Sequence, residues 1–254
     1  MKFASFIFAS ITALSASTPH SSDAKHWSYN GIFSPENWGK ISKTCSAGKS
    51  QTPINIETSK TIPTVDRKDI LKFYNYKTSL KTSVINNGHT IKITPKFLET
   101  YNEAYITIDG VRYNLLQFHM HTHSENRIDG KQSDLVAHLV HQSYDGKLAV
   151  VAIFFDEGEE NSAIKEYWNQ MPQKVNEVNS LFNVDISRIL PADKSSYFTF
   201  MGSLTTPPCT ENVKWFILKD RQTISKDQIE ALRTIYPHNF RPVQNINSRT
   251  IFER

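Results

Sequence analysis

The 254-residue sequence lacks the features that mark several broad classes of protein. After its first 14 residues it has no apolar run of membrane-spanning length, so no transmembrane helix is predicted. It has no internal repeat and no low-complexity linker, which favours a single domain. Its net charge of +4 is not clustered, because basic residues alternate with acidic ones. This argues against binding to nucleic acid or to a membrane surface.

Cysteine is nearly absent, since only Cys45 and Cys209 occur. Residues 1–17 have the form of a secretory signal peptide, with Lys2 followed by about a dozen mostly apolar residues and then small ones. Cleavage nearer Ala24 is equally compatible with the pattern. Export to the periplasm or the extracellular space would place the chain where disulfides persist. The two cysteines there form one bridge or stay as free buried thiols, and export and the even count favour the bridge.

Short strand-like runs separated by turns dominate the middle of the chain. They are residues 81–85, 90–94, 104–108, 111–123, 134–142 and 148–155. This spacing predicts a mainly β (β-dominated α+β) domain over residues 25–254, around a large, mostly antiparallel sheet. Peripheral helices are predicted at residues 162–170, 173–182 and 226–235. Ser225 and Gln228 form a capping-box pattern at the start of the last one.

Three histidines in two of these runs suggest a metal site. Side chains alternate along a strand, so His119 and His121 share a face. His138 follows His121 by 17 residues, and the turn signal at 129–130 places it on a neighbouring antiparallel strand. Three imidazoles without a thiolate suit zinc and leave a ligand position for water, as in catalytic sites. A lone His-x-His motif more often marks surface or core-edge histidines. His123 continues the face but lies too far along the strand, and is predicted at the rim.

Ordered motifs along nearly all of the mature chain carry a family resemblance. They are His26-Trp27-Ser28-Tyr29 and the segments 51–56, 86–89, 117–121, 124–126, 137–141, 202–208 and 239–242. On these residues the chain resembles an α-class carbonic anhydrase, and in particular the exported bacterial members. The resemblance implies a zinc enzyme that converts CO2 reversibly to bicarbonate and a proton. It also places Cys45 and Cys209 at the positions of the family's disulfide.

The resemblance further implies roles for catalytic residues. One zinc ion per chain is held by the three histidines, and hydroxide formed on it attacks CO2. The Thr205 hydroxyl accepts a hydrogen bond from that hydroxide while donating its own hydrogen to Glu125. His89 matches the proton shuttle, because imidazole both accepts and releases protons near neutral pH. Tyr29 and Asn87 match polar positions of the solvent path.

A substrate pocket is implied in the same way. It comprises Val140, Val150, Leu204, Thr206 and Trp215. CO2 has no charge, so shape and dispersion would hold it against the apolar members of this set. For each of those four apolar residues taken alone, ordinary core packing is the alternative.

One departure from the family pattern affects the metal site. Metal-bound imidazoles usually donate their second N–H to an acceptor, and Gln117 matches that partner for His119. The family has glutamate two residues before the third ligand, whereas this chain has Val136 before His138. Asp134 lies on the same face but reaches His138 only through a bulge or a water. Loss of such a partner typically costs 10- to 100-fold in metal affinity or activity, so we expect a weaker or faster-exchanging zinc site.

The resulting hypothesis is an exported enzyme whose partners are CO2 and bicarbonate, with a homodimer left open. One alternative is a catalytically weak or silent carbonic-anhydrase-like binding protein. Another is a zinc esterase, which would use the same nucleophile. A binding module would not need the ligands together with Thr205, Glu125 and His89, so retention of the whole set favours the enzyme.

Overall fold

The computed structural model describes residues 26–64, 70–97 and 103–254. Strands predominate and helices are few and short, which confirms the predicted fold class. The predicted signal peptide, residues 1–17 or as far as Ala24, lies outside the described residues. Within the described ranges, no helix combines the length and apolarity needed to cross a membrane.

The described residues form fifteen strands and three α-helices. The strands are β1 (Asn55–Ile56), β2 (Ile62–Pro63), β3 (Leu71–Tyr74), β4 (Thr78–Asn86), β5 (Ile91–Lys96), β6 (Tyr105–Ile108), β7 (Val111–His121), β8 (Arg127–Ile128), β9 (Leu135–Ser143), β10 (Leu148–Glu157), β11 (Val178–Asp185), β12 (Tyr197–Ser203), β13 (Glu211–Leu218), β14 (Gln222–Ile224) and β15 (Phe252–Glu253). The helices are α1 (Thr44–Ala47), α2 (Ser162–Trp168) and α3 (Lys226–Ile235), and 3-10 turns cover Gly31–Phe33, Pro35–Lys40, Thr58–Lys60 and Ile186–Ile189.

Thirteen of these strands form one sheet. Its main path runs β11-β4-β5-β7-β9-β10-β13-β12-β15-β2, with β14 beside β10, β6 beside β7, and β3 beside β6. The pairs from β11 to β10 are antiparallel, whereas β10 is parallel to β13 and β14, and β15 is parallel to β2. The three strands β5, β7 and β9 are adjacent at the centre, so residues on one face of them come together.

The predicted helix at 173–182 is wrong. Its second half belongs to β11, which pairs with β4 from Val178 opposite Ile85 onwards. Positive φ at Asn176 is incompatible with a continuous helix, and β4 supplies the hydrogen-bond partners that a helix would find internally. The other two predicted helices are confirmed, and Ser225 and Gln228 form the capping box of α3.

The two faces of β9 pack in different environments. Leu135 and Leu139 belong to the larger hydrophobic cluster. Val136 and Val140 belong to a second, smaller cluster on the other face. His138 is two residues away from each of these valines along the strand, so it faces the side of the sheet that carries the second cluster.

A β-bulge in β7 determines which of its side chains lie on each face of the sheet. Leu115 and Phe118 both belong to the larger cluster, although an odd spacing of three residues would put them on opposite faces of a regular strand. The pairing with β9 shifts between Leu115 and Gln117, and the extra residue, Leu116, is exposed. After this bulge Gln117 and His119 face the same side as His138.

Candidate metal centre

The three candidate ligands converge on one point. His119 lies directly opposite His138 in the β7–β9 register, and His121 lies two residues along on the same face. One nitrogen from each ring can be chosen so that all lie within 4.8 Å of one another. The connecting segment turns at 129–130, where both residues have positive φ. The predicted antiparallel neighbour and the predicted convergence are therefore confirmed.

Hydrogen bonds decide which nitrogens of the first two rings are available to a metal. His119 Nδ1 lies 3.0 Å from Gln117 Oε1, as the sequence predicts. His121 Nδ1 contacts the backbone carbonyl of Asn239, which can only accept, so Nδ1 carries the proton. The Nε2 atom of His121 is left buried and has no hydrogen-bond partner among the described residues. A bound metal ion would satisfy this atom, so the site fits one.

His138 is held differently from the other two ligands. Its Nδ1 lies 3.7 Å from Glu125 Oε2, on the side where His121 Nε2 also lies, 3.5 Å from that oxygen. Its Nε2 therefore points away from the metal position, and within the described structure it is buried with no partner. Asp134 makes no hydrogen bond to it, and Asp134 Oδ2 instead accepts the Glu157 N–H at 2.8 Å. Val136, fully buried, thus leaves an unpaired ring nitrogen behind one ligand.

Burial favours the neutral form of two of the ligands, His119 and His138. It lowers the pKa of His119 well below its ordinary value, and the charges of His121 and Lys92 lower it further. Burial likewise lowers the pKa of His138, with further lowering from His121 and His119. Neutral imidazole is the form that binds a metal, so the lowered pKa values of His119 and His138 favour metal binding.

Glu125 lies next to the histidines and is buried. The backbone N–H of Arg241 donates to its Oε1 at 2.8 Å. Its Oε2 makes no hydrogen bond within the described residues. Thr205 is also buried, but the predicted hydrogen bond from its hydroxyl to Glu125 is not formed. The second oxygen of the carboxyl group instead lies 3.5 Å from His121 Nε2 and 3.7 Å from His138 Nδ1.

The disulfide between Cys45 and Cys209 is confirmed and links positions 164 residues apart. It is tied to the site through Arg241, whose guanidinium group donates to the carbonyl of Cys45 at 2.8 Å. The same group donates to Gln51 Oε1 and to the carbonyl of Thr52, each at 2.9 Å. Burial lowers the pKa of Arg241 to about 10. The backbone that holds Glu125 is therefore anchored to the disulfide.

A cavity of about 130 Å3 opens next to the ligands. It is lined by Trp27, Tyr29, Asn87, His89, Thr90, Lys92, Gln117, His119, His121 and Thr206. Tyr29 and Asn87, predicted for the solvent path, His89, predicted as the shuttle, and Thr206, predicted for the substrate pocket, thus line a cavity that also contains two of the ligands. Burial, followed by the charges of Glu125 and Tyr236, raises the pKa of the Tyr29 hydroxyl well above its ordinary value.

A tight turn holds His89 at this cavity. Asn87 Oδ1 accepts the backbone N–H of His89 at 3.0 Å and that of Thr90 at 2.8 Å, and Gly88 adopts positive φ. The imidazole stacks on the Trp27 indole with ring centroids 3.6 Å apart. Partial burial lowers the pKa of His89, as does His26.

The four apolar residues predicted for the pocket pack in or against the second cluster. Val140, Val150 and Trp215 are buried in the second cluster, and Leu204 packs against it. None of them lines the 130 Å3 cavity, although the Trp215 ring meets His138 edge-on at 5.0 Å. The predicted pocket wall is thus continuous with core packing.

His123 is outside the ligand group. An Arg233 guanidinium nitrogen lies 3.2 Å from its Nε2, and the Phe240 ring meets it edge-on. It is partly exposed, in agreement with the predicted rim position.

Sequence reasoning missed three residues of the site. Asn239 was within a matching motif, but its contact with His121 joins positions 118 residues apart and leaves no local signal. Trp27 likewise belonged to a motif without an assigned role. Lys92 could have been found by strand alternation, because it is two residues after Thr90 on the strand that follows the His89 turn.

Comparison with known proteins points to one family. The family model for eukaryotic-type carbonic anhydrases matches residues 33–254. A carbonic anhydrase of Klebsiella pneumoniae is 39% identical over 242 residues, covering 91% of this chain and 92% of the relative. One from Neisseria gonorrhoeae is 40% identical over 232 residues, covering 90% and 88%. The structure of α-carbonic anhydrase from Thermovibrio ammonificans with the inhibitor sulfanilamide has a TM-score of 0.80 and 34% identity, covering 89% of this chain and 98% of that one.

Proposed function

Since the chain belongs to the eukaryotic-type carbonic anhydrase family and is a carbonate dehydratase, we propose that it hydrates CO2 reversibly to bicarbonate with one zinc ion held by His119, His121 and His138. The observation that supports this most directly is the convergence of the three ring nitrogens within 4.8 Å. The orphaned Nε2 of His121 supports it further.

Zinc would supply Lewis acidity, and carbonic anhydrase is the standard example of a protein in which zinc lets a bound water ionise near neutral pH. The protein's own contribution is to fix the ligand rings. Gln117 and the Asn239 carbonyl hold the Nδ1–H groups of His119 and His121, which directs both Nε2 atoms into the site.

Thr205 and Glu125 are proposed to orient the nucleophile. A hydroxyl group that accepts a hydrogen bond from the nucleophile must donate its own hydrogen elsewhere. Arg241 N–H occupies Oε1 of Glu125 and leaves Oε2 as the acceptor for that hydrogen. A small rotation of either side chain on substrate binding would complete the pair, since catalytic hydrogen bonds often tighten only in the complex.

His89 is proposed as the proton shuttle. It lines the same cavity as His119 and His121, and Asn87 fixes the turn that carries it. Tyr29 and Thr206 offer hydroxyl groups in that cavity, along which ordered water could carry the proton. The ring stacks on Trp27 and is partly exposed, which supports an exchange of protons with buffer.

The proposal is tested by stopped-flow CO2 hydration on purified protein, with zinc measured in the same sample. Activity at one zinc per chain is expected, together with inhibition by sulfanilamide, the inhibitor named for the Thermovibrio relative. If the protein contained one zinc ion per chain and CO2 hydration did not exceed the buffer rate, the proposed enzymatic function would be refuted.

The shuttle is tested by His89→Ala. Because proton release follows the chemical step, kcat should fall about tenfold or more while kcat/KM changes little, and imidazole buffer should restore kcat. His238→Ala is the matched control, because His238 lies outside the cavity lining. An equal loss of kcat/KM, or no rescue, would remove His89 from this role.

We also propose that residues 1–17, or as far as Ala24, are cleaved on export to the periplasm or beyond, leaving a domain over residues 25–254. The Cys45–Cys209 bridge supports an oxidising compartment. Mass spectrometry of protein recovered from a bacterial periplasm should show the shortened N-terminus, and an intact Met1 would contradict cleavage.

One observation favours the alternative of a weak or silent binding protein, namely the unpaired Nε2 of His138. If this defect prevented zinc retention, the purified protein would contain no zinc, and added zinc would not produce hydration.

A further inference from the structure

A lysine lies in the same row as two metal ligands. Lys92 of β5 is directly opposite His119 of β7, which is directly opposite His138 of β9. Its neighbours Ile91 and Ile93 are buried in the larger cluster, so Lys92 faces the other side of the sheet with the histidines. Directly opposed Cβ atoms are about 5 Å apart, which leaves the Lys92 side chain free to extend over the metal site or the cavity.

Lys92 gives the cavity its charge. The other described residues of the lining are aromatic, amide, hydroxyl or imidazole side chains, and none is a carboxylate. Lysine is positively charged at neutral pH. Lys92 makes no hydrogen bond or ion pair within the described residues, although six other lysines, among them Lys60 and Lys147, form ion pairs or hydrogen bonds. The cavity lining therefore carries one positive charge that makes no ion pair among the described residues, and the buried Glu125 carboxylate beside His121 and His138 is not part of that lining.

We propose that Lys92 is an anion-specificity residue that raises the affinity of the site for bicarbonate and other small monoanions. This rests on the proposed function, because it concerns that site and its product. At an effective dielectric constant between protein and water, one charge across such a cavity changes the affinity for a monoanion on the order of three- to tenfold. CO2 is uncharged and does not gain from it.

The effect on turnover is correspondingly asymmetric. The overall equilibrium fixes the ratio of kcat/KM for hydration to kcat/KM for dehydration, so Lys92 cannot favour one direction catalytically. It instead lowers kcat and KM for bicarbonate together. It also makes bicarbonate a stronger product inhibitor of hydration.

The test is calorimetric titration of the zinc-loaded protein with thiocyanate, a monoanionic probe, at low ionic strength. Lys92→Gln should weaken thiocyanate binding three- to tenfold, and Lys92→Arg should retain it. Lys96→Gln is the matched control, because Lys96 is an exposed residue of the same strand outside the cavity and removes the same net charge. Unchanged affinity in Lys92→Gln, or an equal loss in Lys96→Gln, would overturn the proposal.

A second readout does not depend on turnover or on anions. The charge that attracts an anion repels Zn2+, so the apoprotein of Lys92→Gln should bind zinc more tightly than wild type, and Lys96→Gln should not. Weaker zinc binding in Lys92→Gln would contradict the proposal. Should Lys92→Gln unfold at a lower temperature, Lys92→Met serves the same comparison. A protein that binds zinc and thiocyanate as expected but does not hydrate CO2 would refute the proposed function alone.

Discussion

Replacing Val136 by glutamine should tighten zinc binding. In the wild type the Nε2–H of His138 is buried without an acceptor, which costs about 1–3 kcal/mol. Val136 precedes His138 by two residues and shares its face, so an amide oxygen at position 136 can reach that nitrogen. Supplying a partner of this kind typically changes metal affinity 10- to 100-fold, equivalent to about 1.4–2.7 kcal/mol.

The same substitution carries a packing cost that must be separated from this gain. Val136 is fully buried among Phe154 and other members of the second cluster, so extra atoms cost about 1–3 kcal/mol of folding free energy. Val136→Met adds similar volume without an oxygen acceptor and is the matched control. Glutamine is a cleaner probe than glutamate, because a buried carboxylate adds a desolvation cost in the metal-free protein.

The assay is competition between the apoprotein and a chromophoric chelator for zinc, with the zinc off-rate measured in excess chelator. Val136→Gln should bind zinc at least tenfold more tightly and release it more slowly, whereas Val136→Met should match or fall below wild type. Equal affinities in Val136→Gln and wild type would show that another acceptor, such as a buried water, already pairs with His138, and would refute the reasoning.

Three further predictions concern stability. Replacing Cys45 and Cys209 by serine should lower the unfolding free energy by about 5 kcal/mol on the chain-entropy model, as measured by urea denaturation. A reductant should lower the unfolding free energy of the wild type by the same amount and leave that of the variant unchanged. Arg241→Met leaves three acceptors unpaired and should cost at least about 3 kcal/mol by the same measurement, so a loss under 1 kcal/mol would contradict the network. Burial lowers the pKa of His141 from 6.5 to about 3, so the unfolded chain binds more protons below pH 6.5, and the apoprotein should lose stability as pH falls from 6.5 towards 3. His119 and His138 add to the slope in the same direction, so His141→Asn should reduce the slope without abolishing it, and an unchanged slope would exclude this residue.

Strand alternation predicted the central part of the site well. His119, His121 and His138 needed only the period of two and one turn signal, because one face of each strand is committed to a hydrophobic core. The helix predicted at 173–182 failed for the converse reason. Its residues have no strong local preference, and pairing with β4, some 95 positions earlier, decided their structure.

Contacts between distant positions could not be derived from local pattern. The partner of His121 is a backbone carbonyl at Asn239, and any residue type supplies such a group. Similarly, Arg241 holds Glu125 through its backbone N–H and the disulfide region through its side chain. Only the three-dimensional arrangement reveals that one residue contacts both Glu125 and the disulfide region.

The exposed Leu116 also bears on any attempt to move this ligand set into another protein. If a His-x-His segment alone were grafted, the host strand would decide which face the histidines occupy. In half of the possible registers the rings would point into the host's core. The seven-residue segment 115–121 includes the bulge, which itself sets the face on which the histidines lie. Conversely, deleting Leu116 should reverse the faces of the residues that follow it in β7. His119 would then replace Phe118 against the larger hydrophobic cluster.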